Sequence, residues 1–200
     1  MSAMNELSNH DHSRFLTRTN RMVGRITTLG PGAAEAGINK GVFREAVTIQ
    51  MSWPGAPTVY YADEAGQVGW TDPDNRRTYP WGHEDQSLID LHRFLIRLRR
   101  ELPVLSDGSL KELLADYGHI AYARFNETSR CVVAVNNTGS WTDFRLFVRD
   151  AGAAEGEPYI FRIKTSQDGH IVEPAPVGRV EDGYLSFSLP PFSSAILSNE

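Results

Sequence analysis

The sequence predicts an α/β segment followed by an all-β segment, and three observations carry that prediction. Two stretches with helical spacing, each accompanied by a short β-rich run, fill the first half of the chain. Past about residue 105, short alternating runs separated by turn residues take over. The 200 residues, 40% of them hydrophobic and 10% aromatic, suffice for a buried core in one or two domains. The expected division is therefore residues 1–105 and 106–200.

In chain order, Asn5–Leu7 is a strand candidate that leads into a polar turn, Ser8–Arg14. A Gly/Ala-rich loop follows at Gly30–Gly37, with Pro31 inside it. Lys40–Trp53 is expected to be helical, because Phe43, Ala46, Val47, Gln50 and Met51 cluster at helical spacing and Pro54-Gly55 stops the run. Ala56–Ala62 reads as a buried parallel strand. A long polar loop spans Asp63–Glu84, and Asp85–Leu102 is the clearest helix. Its Leu88, Leu91, Leu95, Leu98 and Leu102 step by 3, 4, 3 and 4, which gives one apolar stripe. Arg97, Arg99 and Arg100 sit where cations favour the helix dipole, and Pro103 ends the helix.

Strand, loop, helix, strand, loop, helix is the order of two βα units. Beyond them, Ile120–Phe125, Cys131–Asn136, Phe144–Val148, Tyr159–Ile163, Tyr184–Leu189 and Ser194–Leu197 are expected strands. Asp168-Gly169 and Asp182-Gly183 are hairpin signals between them, and the regular spacing suggests an antiparallel β-sandwich.

A net charge of −5 and a pI near 5.7 argue against a nucleic-acid or anionic-membrane partner, since both are held by surplus Lys and Arg. The longest apolar runs fall far short of the roughly 20 residues a membrane span needs. No signal-peptide pattern opens the chain, so a cytoplasmic location is the expectation. Cys131, the one cysteine, lies in an apolar run and reads as a small buried hydrophobe. His10 and Asp11 are adjacent, yet no second His or Cys cluster stands at ligand spacing, so neither metal nor cofactor is expected.

Three motifs carry the chemistry. Ser8-Asn-His-Asp-His-Ser-Arg-Phe-Leu16 places His10-Asp11 just after a strand candidate. Some 45 residues further on comes Pro54-Gly-Ala-Pro-Thr-Val-Tyr-Tyr-Ala-Asp-Glu-Ala-Gly66, and then Asp72-Pro-Asp-Asn-Arg-Arg-Thr-Tyr-Pro-Trp81. In that order they resemble three segments of the α-amylase superfamily, glycoside hydrolase family 13: the His-Asp loop after barrel strand 7, the strand-8 motif, and the D-P-x-x-R segment of oligosaccharide-acting neopullulanases, cyclomaltodextrinases and α-glucosidases. The resemblance implies that residues 1–105 are the last βα units, strands 7 and 8, of a (β/α)₈ barrel, followed by an antiparallel β-sandwich domain. It also implies that Asp11 is the third catalytic carboxylate, contacting the sugar 2- and 3-hydroxyls in subsite −1 beside His10. Asp72 and Arg76 match the subsite −2 contacts; on the residues alone an exposed loop ion pair is the competing reading.

Tyr60 and Tyr61 read first as core residues with a polar tip, with Tyr60 kept as a candidate sugar contact. Asp63 and Glu64 are read as loop-shaping and salt-bridging residues, because neighbours on a strand face opposite ways. Ala62 replaces the glycine usual in the family. Trp70 and Trp81 fit equally a sugar-stacking role and packing under the loop; Trp81 is the candidate substrate contact.

A retaining glycosidase needs a nucleophile and a general acid about 5–5.5 Å apart. In the resembled family these come from strands 4 and 5, and no segment here matches them. The resemblance thus implies the C-terminal portion of an enzyme on α-linked glucose oligosaccharides, inactive by itself. Its exposed barrel edge calls for the missing N-terminal part of the barrel, for self-association, or for a compact rearrangement against the β-domain. The alternatives are a non-catalytic carbohydrate-binding or assembly module, or part of a transglycosidase or isomerase of the superfamily.

Overall fold

The structure, a computed structural model, describes residues 3–199. Met1 and Ser2, where the first predicted segment begins, and Glu200 lie outside the described residues.

Strand β1 (Met4–Glu6) pairs in parallel with β2 (Ala56–Thr58), Met4 facing Ala56 and Glu6 facing Thr58. Parallel neighbours need a crossover between them. Here it runs through two one-turn helices, α1 (Phe15–Arg18) and α2 (Ile26–Leu29), and then α3 (Lys40–Ser52). Asn39 caps α3 by accepting from the Val42 amide, and Phe43, Val47 and Met51 are its buried stripe. After the long loop, α4 (Gln86–Glu101) starts at Asp85, which accepts from the Leu88 amide, and it buries Leu88, Leu91, Leu95 and Leu98 as the heptad spacing predicts. Arg99 fastens the end of α4 to the crossover: its guanidinium donates to the carbonyls of Met51, Gly55 and Leu105. A short α5 (Val104–Asp107) follows Pro103.

One expected element is corrected. The run Ala56–Ala62 is not one strand: the ladder stops at Thr58, where its three-residue partner ends. Residues 61–66 then turn, with Ala62 at φ 66 in the left-handed region, which extended backbone excludes.

The remainder is antiparallel β. The strands are β3 (Ser109–Asp116), β4 (His119–Phe125), β5 (Arg130–Asn136), β6 (Thr142–Phe147), β7 (Pro158–Thr165), β8 (His170–Ile171), β9 (Ala175–Arg179), β10 (Tyr184–Leu189) and β11 (Ser193–Ser198). Seven form one sheet in the order β3-β4-β5-β11-β7-β8, with β9 also on β7, while β6 and β10 pair separately. Alternation sends Tyr122, Cys131, Val133 and Ile196 into the core shared with α3 and α4. Ala121, Val132, Ala134, Ala195 and Leu197 point the other way, onto Phe144, Leu146, Leu185 and Phe187 of β6 and β10. The large sheet is thus sandwiched between the β6–β10 pair and the helices, and one hydrophobic core crosses residue 105.

Three strands were not expected from the sequence. β3 reads Ser-Leu-Lys-Glu-Leu-Leu-Ala-Asp, residues that favour helix; it is a bulged, largely exposed edge strand held by its pairing to β4. β8 and β9 are short and have no fully buried residue, and β9 carries Pro176 and Gly178, which weaken a strand reading. Asp168-Gly169 closes the β7–β8 hairpin as expected. Asp182-Gly183 makes the tight turn, both residues with positive φ, but the strands it joins pair elsewhere, β9 on β7 and β10 on β6.

Candidate functional site

Because β1 and β2 are parallel, the loops that follow them leave from the same end. That places Leu7–Arg14 beside the loop Val59–Glu84, and a buried hydrogen-bond system joins the two.

Arg14 is its centre. The side chain is fully buried, and Nη1 donates to the Tyr61 carbonyl at 2.6 Å and to Asp63 at 3.0 Å, while Nε donates to the Asn75 carbonyl at 2.8 Å. Its guanidinium also lies 4.1 Å from the Tyr60 ring centroid and 4.7 Å from that of Tyr61. A buried guanidinium demands a buried counter-charge, which Asp63 supplies. Burial lifts the Asp63 carboxyl above its ordinary range, and the Ser8 hydrogen bond and the Arg14 charge pull it back. The expectation that Asp63 shapes the loop and forms a salt bridge thus describes its contacts. Glu64 stays half-buried, and its charge adds to desolvation in raising the Tyr79 hydroxyl above its ordinary value.

The His10–Asp11 loop is folded on both sides. Asn9 Oδ1 accepts from the amides of Asp11 and His12 at 2.9 and 3.1 Å. Asn75 Nδ2 donates to the carbonyls of Asn9, His10 and His12. With its backbone turned inward, the loop presents His10 Nε2 and Asp11 Oδ1 outward, 3.3 Å apart and each side chain about two-thirds exposed. Asp72 and Arg76, on the one-turn segment that carries Asn75, pair at 2.7 Å and are about half-exposed.

The tryptophans separate. Trp70 is 2% exposed, with Nε1 donating to Gly30, and so packs under the loop. Trp81 is 78% exposed and lies 4.4 Å from the Tyr79 ring. Tyr60 is half-buried between Arg14 and Tyr61, and burial, aided by Tyr61, raises its hydroxyl above the ordinary value. The structure therefore gathers His10, Asp11, Asp72 and Arg76 on two joined loops, with Tyr60 packed against Arg14 of the first. Among the described residues, no group of three or more His, Cys, Asp or Glu side chains is arranged to hold a metal ion. Arg14 and Asn75, which build the site, were not singled out as functional from the sequence; Arg14 lies in the first motif and Asn75 at a variable position of the third.

No family model matches the chain. It is 34% identical over 185 residues to an amylopullulanase of Thermoanaerobacter thermohydrosulfuricus, covering 86% of this chain and 12% of that protein. It is 32% identical over 199 residues to neopullulanase 2 of Thermoactinomyces vulgaris, covering 98% and 29%. The chain belongs to the α-amylase superfamily. The α-amylase of Geobacillus thermoleovorans, solved in complex with acarbose, superposes with a TM-score of 0.72 at 25% identity, over 98% of this chain and 38% of that one. The chain thus spans well under half the length of these superfamily members.

Proposed function

We propose that this chain is the C-terminal portion of a retaining α-glycosidase acting on α-glucans and maltooligosaccharides. In this reading β1 and β2 are the seventh and eighth strands of a (β/α)₈ barrel, and residues 106–200 form the β-sandwich domain that follows. The observation that carries it is the joining of the His10–Asp11 loop to the Asp72–Arg76 loop at the C-terminal ends of two parallel strands, where barrel enzymes keep their chemistry.

Asp11 accepts hydrogen bonds from the 2- and 3-hydroxyls of the sugar in subsite −1, and its charge counts most as positive charge develops at the anomeric carbon. His10 donates to a neighbouring hydroxyl. Asp72 and Arg76 hold the next sugar, with Tyr60 at the base of the site and Trp81 offering an aromatic face. The nucleophile and general acid belong to a part of the barrel outside this chain, so the covalent and proton-transfer steps need that part.

Two apolar grooves flank the β1–β2 pair and support the reading. One, about 460 Å³, is lined by Leu7, Phe15, Ala46, Ile49, Trp53 and Ile120. The other, about 550 Å³, is lined by Pro57, Val59, Ile96 and Pro103 among others. They fit the flanking βα units of an N-terminal barrel portion, with a second copy of the chain as the competing occupant. Titration with acarbose, followed by backbone amide shifts, tests the site: His10, Asp11 and Arg76 should respond together. Response confined to the β-sandwich would favour a separate carbohydrate-binding module.

A further inference from the structure

We propose that Asn75 is a positioning residue that holds the His10–Asp11 loop in register with Asp72 and Arg76, an inference that rests on the sugar-site reading above. Asn75 is completely buried. Its Nδ2 reaches three carbonyl oxygens of one loop: His10 and His12 at 2.8 Å each, and Asn9 at 3.3 Å. Its own carbonyl accepts from Arg14 Nε at 2.8 Å, so the residue is gripped through its backbone and grips through its side chain.

The chemistry leaves little choice of side chain. Three converging carbonyls demand a donor with no negative charge, and they fix which end of the amide faces them, since an oxygen there would be repelled. An aspartate has the same size but, ionised, donates nothing. A glutamine adds a methylene where no exposed space exists.

The consequence is mechanical. Asn75 lies in the one-turn helix Asp74–Arg76, next to Arg76 and three residues from Asp72. Loop 9–12 turns all three carbonyls toward it, while the Asn9 side chain takes the amides of Asp11 and His12. The side chains of His10 and Asp11 are left to point outward, where both are exposed. Arg14 joins the bases of the two loops, but the stretch 9–12 that carries His10 and Asp11 is tied to the Asp72–Arg76 segment through the Asn75 amide, which couples the contacts assigned to subsites −1 and −2.

The test compares Asn75→Asp and Asn75→Ala with Leu91→Ala, which damages the α4 core away from the site. Native-state amide exchange at Asp11 and His12 is measured beside global stability in urea. Both Asn75 variants should lose at least about tenfold protection beyond their global loss, the worth of roughly one net hydrogen bond. Leu91→Ala should lose no more than its global loss. In Asn75→Asp, protonating the introduced carboxyl at low pH restores one donor, so protection at Asp11 should partly return; a merely structural defect would show no such recovery. That pH profile carries the test if Asn75→Ala does not fold. Equal local loss in all three variants, or no recovery at low pH, overturns the proposal. Acarbose separates the two readings: the wild type should show coupled shifts at Asp11 and Arg76 that Asn75→Asp uncouples. A wild type without any acarbose response overturns the sugar-site reading and the subsite coupling with it, whereas normal acarbose shifts with unchanged exchange in the variants overturn the role of Asn75 alone.

Discussion

Replacing Glu45 by Gln should stabilise this chain at neutral pH and increasingly so above it. Glu45 lies on α3, only 3% exposed, and its Oε1 has no hydrogen-bond partner among the described residues. Burial pushes its carboxyl from an ordinary 4.5 up to about 9. The folded chain therefore keeps the proton over a range in which the unfolded chain releases it. Stability from the neutral carboxyl is complete below about 4.5 and is lost as pH rises toward 9. At 1.36 kcal/mol per unit, the loss reaches about 3 kcal/mol at pH 7 and has a ceiling of about 6 near pH 9. Gln copies the size and neutrality of the protonated form and has no proton to lose. Urea unfolding at pH 5, 7 and 9 should then show a difference of less than about 1 kcal/mol between variant and wild type at pH 5. At pH 7 the midpoint should rise by about 1–2 M, given a slope of about 2 kcal/mol per M. Because the other titrating groups are common to both proteins, the difference reports Glu45 alone. A difference independent of pH, or a variant less stable at pH 9, would show that Glu45 does not hold its proton in the folded chain.

Further expectations concern the site and its support. Arg14→Met strands Asp63 as a buried carboxylate and should cost about 3–5 kcal/mol at neutral pH by urea unfolding, much of it recovered on acidification as Asp63 takes up a proton. Ala62→Gly relieves a left-handed alanine, worth about 1–2 kcal/mol, against about 0.4–1 kcal/mol of added freedom in the unfolded chain, so the melting temperature should rise by about 1–3 °C in calorimetry. Trp81→Ala should leave stability within about 0.5 kcal/mol, since the ring is exposed, while weakening acarbose binding in calorimetric titration. Cys131 is buried in the shared core and should react with a thiol reagent only as fast as the chain opens, a rate readable by absorbance.

What the sequence disclosed follows from how local each signal is. The stripe Leu88–Leu98 needs only the 3.6-residue period, and Pro54-Gly55 and Pro103 stop the helices that precede them, so α3 and α4 were legible nearly to the residue. β3 was not, because Leu110, Lys111, Glu112 and Leu113 prefer helix and become a strand only through pairing with β4. Ala62 was flagged as replacing a glycine, and its positive φ shows the backbone reason for that glycine. His10, Asp11, Asp72 and Arg76 were legible because each lies in a short contiguous motif that can be read without knowing its spatial neighbours. The part Arg14 and Asn75 play in joining the two loops was hidden, since their partners lie 47 to 66 residues away in the chain.

On the proposed function, this chain supplies sugar contacts and not the bond-breaking groups. Release of p-nitrophenol from an α-maltoside by the purified chain tests it most directly, with Asp11→Ala alongside. Neither protein should release p-nitrophenol above background, and the wild type should show acarbose-induced shifts at Asp11. Measurable turnover abolished by Asp11→Ala would contradict it.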